Sequence, residues 1–173
     1  GGYLATRHLI QQGCRNIAFF GDASHPEAGL RHQGYLRALQ EAGCARDSRL
    51  EQSFLFGDKR IRETIDNWLN QRLTFDSIFA ASDVTAISLM GALSERGISV
   101  PRQVRLVGYD DIALAAHIHP SLTTVRQPSD QAGRTLVDLV FESIQGKPRR
   151  AVTLPTELIT RESSIDPALA AAS

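Results

Sequence analysis

The stretch SIFAASDVTAISLMGALSERGISVPRQVRLVGYDD, residues 77–111, contains a complete strand–helix–strand unit. Ser77-Ile78-Phe79-Ala80-Ala81 and Val104-Arg105-Leu106-Val107 are short runs, apolar on mostly consecutive positions, as a strand buried on both faces requires. Between them the spacing turns helical and ends at Gly97, where a left-handed C′ residue closes the last turn cheaply; Pro101 then blocks continuation. Both strands run out into aspartate, at Asp83 and at Asp110-Asp111.

The unit repeats in both directions. Ile17-Ala18-Phe19-Phe20, Ser53-Phe54-Leu55-Phe56 and Leu122-Thr123-Thr124-Val125 are further strand runs. Ile61, Ile65, Trp68, Leu69 and Ala132, Leu136, Leu139, Val140 each fall at i, i+4, i+7, i+8, so each segment buries one stripe. Gly13, Gly43 and Gly146 close other helical patterns. The spacing predicts helix 1–12, strand 16–21, helix 28–42, strand 52–57, helix 58–71, strand 76–82, helix 83–96 and strands 104–110 and 122–127. Helix 129–145 and strands near 151–154 and 157–161 follow. Alternating strands and helices with short links imply right-handed crossovers and an α/β fold, a doubly wound parallel sheet. Ligands bind such sheets in the crevice outside the carboxyl ends of the strands.

Composition narrows the function. The 173 residues carry 19 basic and 19 acidic side chains, no footprint of a nucleic-acid surface. No apolar run approaches the roughly 20 residues that span a bilayer, and no signal segment opens the chain, so a cytoplasmic location is expected, without membrane contact. The start, Gly1-Gly2-Tyr3 without Met, reads as part of something longer. Cys14 and Cys44 each follow a glycine at a helix-to-strand junction and read as small buried thiols. His117 and His119 lack a third ligand, so neither a metal nor any other cofactor is expected.

Four strand runs end in aspartate: Asp22, Asp58, Asp83 and Asp110. Asp58 and Asp83 precede helical patterns and read first as N-caps, whereas Asp110 has no regular helix directly behind it and is free to face the crevice. Carboxylate and guanidinium suit vicinal hydroxyls, and a ring covers the apolar side of a sugar or base. Arg31 fits this role or that of a surface arginine, and Phe56 fits it or the core. Enzyme templates match poorly: G-x-S-x-G, a Gly-rich phosphate loop and H-E-x-x-H are missing. A metal-dependent phosphoryl transfer through the acidic edge is the remaining enzyme alternative, and it would want a lysine that neither Lys59 nor Lys147 supplies.

Ordered motifs then become recognisable. Gly1-Gly2-Tyr3-Leu4-Ala5, Gly13-Cys14-Arg15-Asn16-Ile17-Ala18, Arg31-His32-Gln33-Gly34-Tyr35, Ala80-Ala81-Ser82-Asp83, Val107-Gly108-Tyr109-Asp110-Asp111 and Pro120-Ser121-Leu122-Thr123-Thr124-Val125 resemble the effector-binding core of LacI/GalR-type transcriptional repressors, over residues 1 to about 163. The resemblance implies a periplasmic-binding-protein type I lobe. Residues 1–126 would form the C-terminal lobe; 127–155, a crossover helix and strand, would belong to an absent N-terminal lobe; 156–163 would return, and 164–173 would be a tail. It implies a small-molecule effector, a carbohydrate or related polyol, that modulates DNA binding by a headpiece outside this chain. By resemblance Arg31 and Asp110 are the charged ligand binders, Phe56 the stacking aromatic and Ser82 a polar contact, with His25 and Glu27 in the ligand-variable loop. A homodimer is implied through Ile87 and Ile118, in keeping with a helix 83–96 that is apolar on more than one side. A sugar-binding protein of a bacterial uptake system is the alternative. Without the other lobe to cover the stripe of helix 129–145, residues 128–155 are expected to pack on a symmetry-related or swapped copy of themselves or to be disordered, while 14–126 keep the parallel sheet.

Overall fold

The computed structural model of the chain describes residues 1–53 and 60–165. Helices α1 (Gly2–Gln11), α2 (Pro26–Glu41), α3 (Arg60–Asn70), α4 (Asp83–Ser94) and α5 (Ser129–Ile144) alternate with strands β1 (Ile17–Phe20), β2 (Glu51–Gln52), β3 (Ser77–Ala80), β4 (Arg105–Asp110), β5 (Thr123–Arg126) and β6 (Glu157–Ile159). The strands make one sheet in the order β2-β1-β3-β4-β5-β6, parallel as far as β5, with β6 antiparallel to β5. This is the doubly wound α/β fold read from the sequence.

Successive strand residues point to opposite faces, and each face has its own core. Ile17, Phe19, Phe79, Val107 and Val125 pack under Leu9 of α1 and Tyr35 and Leu39 of α2. Ala18, Phe20, Ile78 and Leu106 pack under Ile61, Ile65 and Trp68 of α3 and Leu89 and Leu93 of α4. The Tyr35 hydroxyl donates to the Ile17 carbonyl at 2.8 Å, so its polar end is satisfied inside. Gly13, Gly43, Gly97 and Gly146 all take positive φ at helix ends.

Three expectations are corrected. α2 begins at Pro26, because proline at the first helical position supplies the required φ and sacrifices a donor that would be unpaired anyway. Asp83 is not the N-cap of α4: Ser82 is, its Oγ accepting from the Thr85 N–H at 3.2 Å, and Asp83 turns into the core. The strand near 151–154 is not formed; residues 147–156 lack regular structure and have no neighbouring strand to pair with. Of the expected strand 52–57, Glu51–Gln52 pair with Phe19 and Phe20, while Phe56 and Asp58 lie outside the described residues.

The last segment is bound firmly to the sheet. The Ser163 hydroxyl donates to the Leu106 carbonyl at 2.7 Å and accepts from the Thr123 N–H at 2.8 Å. Ser164 Oγ donates to Thr123 Oγ1 at 2.7 Å and meets His8 Nε2 at 2.7 Å, in a site where burial lowers the His8 pKa. By contrast α5 is a full helix with no buried residue. Leu136 is 64%, Phe141 59% and Ile144 75% exposed. It does not fold back on the lobe.

Between β4 and the next turn the backbone is strained: Asp110 has φ 107° and Asp111 φ 53°. Asp111, whose side chain is 8% exposed, accepts from Arg126 Nε at 2.6 Å and from Arg161 Nη2 at 2.7 Å. Beneath it Asp83 accepts from Thr124 Oγ1 at 2.6 Å and from the Ile112 N–H at 2.9 Å. Gly108 leaves the space for that carboxylate, since a Cβ there would collide with Asp83 Oδ1 and stand 3.0 Å from Leu122 Cδ2. Burial pushes the Asp83 pKa up. Burial also works to raise Asp111, but the hydrogen bonds and charges of Arg161 and Arg126 outweigh it and hold that carboxyl below its ordinary value.

Two stability predictions follow from this turn. Gly108→Ala should lower the unfolding free energy by about 1–3 kcal/mol through overpacking, measured by urea denaturation; an unchanged midpoint would refute the collision. Asp111→Asn removes a charged partner from Arg161 and should cost about 1.5–3 kcal/mol at pH 7. A carboxyl with a depressed folded pKa contributes stability above its unfolded value and loses it as pH falls through the folded one. The gap between parent and variant should therefore close as pH drops below about 4, the ordinary aspartate value.

Candidate ligand-binding pocket

In the order β2-β1-β3-β4-β5, the crossover from β1 to β2 runs one way and the crossovers from β3 onward run the other. The carboxyl ends of β1 and β3 therefore diverge and leave a crevice. A cavity of about 270 Å³ occupies that position. Gly21 and Asp22 line it from the end of β1; His25, Glu27, Ala28 and Arg31 from the loop and first turns of α2; Ala81, Ser82 and Thr85 from β3 and α4; and Asp110 from β4. Five residues singled out in the sequence, Arg31, Ser82, Asp110, His25 and Glu27, thus meet around one cavity. The sixth, Phe56, lies outside the described residues.

Each charged group is positioned by specific neighbours. Arg31 donates through Nη1 to the Ala81 carbonyl and through Nη2 to Asp110 Oδ1 at 3.3 Å, and its guanidinium lies 3.8 Å above the Tyr109 ring centroid. Its backbone is fixed from behind by α1, where Gly2 approaches so closely that a Cβ would collide with the Arg31 carbonyl. Asp110 also accepts from Gln127 Nε2 at 2.7 Å, and burial raises its pKa against the pull of Arg31 and Gln127.

Asp22 is organised differently. Its Oδ1 accepts from Ser24 Oγ at 2.6 Å and N at 3.0 Å and from Ser53 Oγ at 2.8 Å, and His25 Nδ1 stands 3.1 Å from Oδ2. The hydroxyls of Ser24 and Ser53 and the Ser24 N–H hold its pKa at about 2. Ser82 divides its hydroxyl between capping α4 and donating to Thr85 Oγ1 at 2.9 Å. The pocket can offer fixed acceptors and a stacked guanidinium to hydroxyl groups. Gln127, Tyr109 and Thr85 were missed in reading single residues. Tyr109 stands inside a quoted motif, whereas Gln127 and Thr85 left no signal beyond their places just after β5 and in the first turn of α4.

A second surface lies on α4. Ile87, Met90, Ile98, Val100 and Ile118 are half-buried and border a groove of about 420 Å³, with Val84 and Leu114 exposed nearby. Among the described residues no helix is long and apolar enough to cross a membrane, and no group of three or more His, Cys, Asp or Glu could hold a metal ion. Cys14 is buried and Cys44 half-buried, and both are free thiols.

Residues 6–164 match the family model described as a periplasmic binding protein-like domain. The HTH-type transcriptional repressor PurR of Edwardsiella ictaluri is 34% identical over an alignment of 172 residues that covers 96% of this chain and 50% of that protein. The structure of a transcriptional regulator CelR–cellobiose complex superposes with a TM-score of 0.85 at 36% identity, covering 94% of this chain and 51% of that one. That of a periplasmic binding protein/LacI transcriptional regulator from Alkaliphilus metalliredigens QYMF complexed with D-xylulofuranose gives 0.80 at 29% identity, covering 96% and 63%. The chain spans about half the length of the curated relatives it matches. With its switch-point pocket and its match over nearly the whole sequence, the chain belongs to the periplasmic binding protein-like domain family.

Proposed function

We propose that the chain is the effector-sensing and dimerisation part of a LacI-type transcriptional regulator. It takes a small polyhydroxylated ligand, a sugar or related polyol, into the pocket and so modulates DNA binding by a headpiece outside this chain. The observation that carries the reading is the convergence of Arg31, Ser82, Asp110, His25 and Glu27 on one cavity at the switch point. Arg31 and Asp110 form a fork that offers donors and an acceptor at fixed spacing to vicinal hydroxyls, and Phe56 supplies the stacking ring. The cellobiose and D-xylulofuranose held by the two regulators described above support a carbohydrate class.

In this reading residues 1–126 and 156–163 are one lobe, 127–155 belong to a second, and the tail 164–173 starts from Ser164, which is itself anchored to the first of these lobes. The bare stripe of α5 supports that division, as does the firm anchoring of residues 161–164 to β4 and β5. No catalytic role is assigned to any residue, and a regulator of this kind works in the cytoplasm on operator DNA. The groove on α4 is the dimer contact, an isologous surface centred on Ile87 and Ile118.

Calorimetry tests the pocket. Asp110→Asn should stay folded and lose about one to two decades of affinity for a sugar that the parent binds, as expected when one partner of a charge-assisted hydrogen bond is removed. Unchanged affinity would rule out the assignment. Sedimentation tests the contact: Ile87→Arg should convert dimers to monomers, and a surviving dimer would refute it.

A further inference from the structure

Among the described residues, Asp22, Glu27 and Asp110 line the pocket with a single guanidinium, Arg31, a formal charge of −2 when histidine is not counted. The cation is already engaged. Arg31 spends one nitrogen on the Ala81 carbonyl and another on Asp110, and its flat face lies on Tyr109. Asp22 stays ionised, its pKa held at about 2 by the Ser24 and Ser53 hydroxyls and the Ser24 N–H. Glu27 sits exposed in the first turn of α2.

The opposing effect is the positive end of two helices, because α2 and α4 both begin at this edge. Each contributes roughly half an elementary charge, and both carry an acid in the first turn, Glu27 and Asp83. At α4 the Ser82 hydroxyl accepts the Thr85 N–H and the Ser82 carbonyl accepts the Ala86 N–H; at α2 Pro26 brings no donor. Two half charges do not offset two uncompensated carboxylates, so the negative sign wins.

We infer that the pocket selects uncharged polyhydroxylated ligands and rejects their phosphate esters, with Asp22 and Glu27 as the residues that repel the added anion. This inference rests on the carbohydrate reading above and names the ligand class within it. Neutral hydroxyls can donate to all three carboxylates, whereas a phosphate group brings acceptors and charge to a site that presents acceptors and charge.

Calorimetry of the chain with glucose, xylose, ribose and cellobiose, against glucose 6-phosphate, ribose 5-phosphate and inorganic phosphate, tests it. Any sugar that binds should do so at least about tenfold more tightly than its phosphate ester, and the ratio should shrink as salt rises and screens the repulsion. Glu27→Gln should narrow the ratio at least about threefold, and Glu27→Lys further. Both changes fall on an exposed helix position outside the core, and an unchanged circular-dichroism spectrum and melting temperature report that each variant is folded. A phosphate ester that binds within threefold of its parent sugar, or more tightly, overturns the inference and leaves the carbohydrate reading standing. Unchanged ratios in both Glu27 variants remove Glu27 from the selectivity and overturn the inference in this form. Binding by neither series removes both.

Discussion

The Asp111 carboxylate joins three segments that are far apart in sequence. It accepts from Arg126 at the end of β5 and from Arg161 beyond β6, while its own backbone sits at φ 53° beside Asp110 at φ 107°. Positive φ at a residue with a Cβ costs on the order of 1 kcal/mol or more, so the turn persists only because the surrounding bonds over-determine it. Asp83 adds a second brace from below through Thr124 and the Ile112 N–H. The two buried carboxylates fix the turn, and the turn aims a third, Asp110, into the crevice. Loosening either brace would allow Asp110 back toward ordinary extended φ and away from Arg31.

This division of labour explains which parts of the site were legible in the sequence. The alternation of strand and helix could be read because strands buried on both faces leave consecutive apolar positions, as in Ile17–Phe20 and Ser77–Ala80, and helices leave a 3.6-residue stripe. The crevice followed from topology, and Arg31, Ser82 and Asp110 followed from their places at its rim. Asp83 was misread because any acid before a helix resembles a cap; Ser82, one position earlier, takes the cap and frees Asp83 to turn inward. The bonds of Asp111 to Arg126 and Arg161 span 15 and 50 residues, and no local pattern announces them. The strand near 151–154 failed for a related reason. Alternation shows that a segment can pair, but the partner strand is a property of the whole fold.

Net charge was legible as a total but not as a distribution. A chain balanced at zero carries, among the described residues, three carboxylates against one guanidinium in its pocket. It also carries Lys147, Arg149 and Arg150 on the exposed segment just beyond α5, where Glu142 engages Arg150 at 3.0 Å. Such separation is invisible to composition. It matters because a ligand of molecular size responds to the potential within a Debye length, about 8 Å at physiological salt, and not to the sum over the molecule.

The bare stripe of α5 and the pocket meet at one residue. A 16-residue helix is marginal alone in water, and an apolar face as exposed as Leu136, Val137, Phe141 and Ile144 is unfavourable at about 25 cal/mol per Å². Nothing among the described residues buries that face of the helix. Its first residue, Ser129, stands two positions after Gln127, whose amide donates to Asp110 Oδ1, and three after Arg126, which is held by Asp111. Arg31 and Gln127 both donate to Oδ1, so a ligand hydroxyl on Asp110 would meet a carboxylate already tied to the short link from which α5 departs.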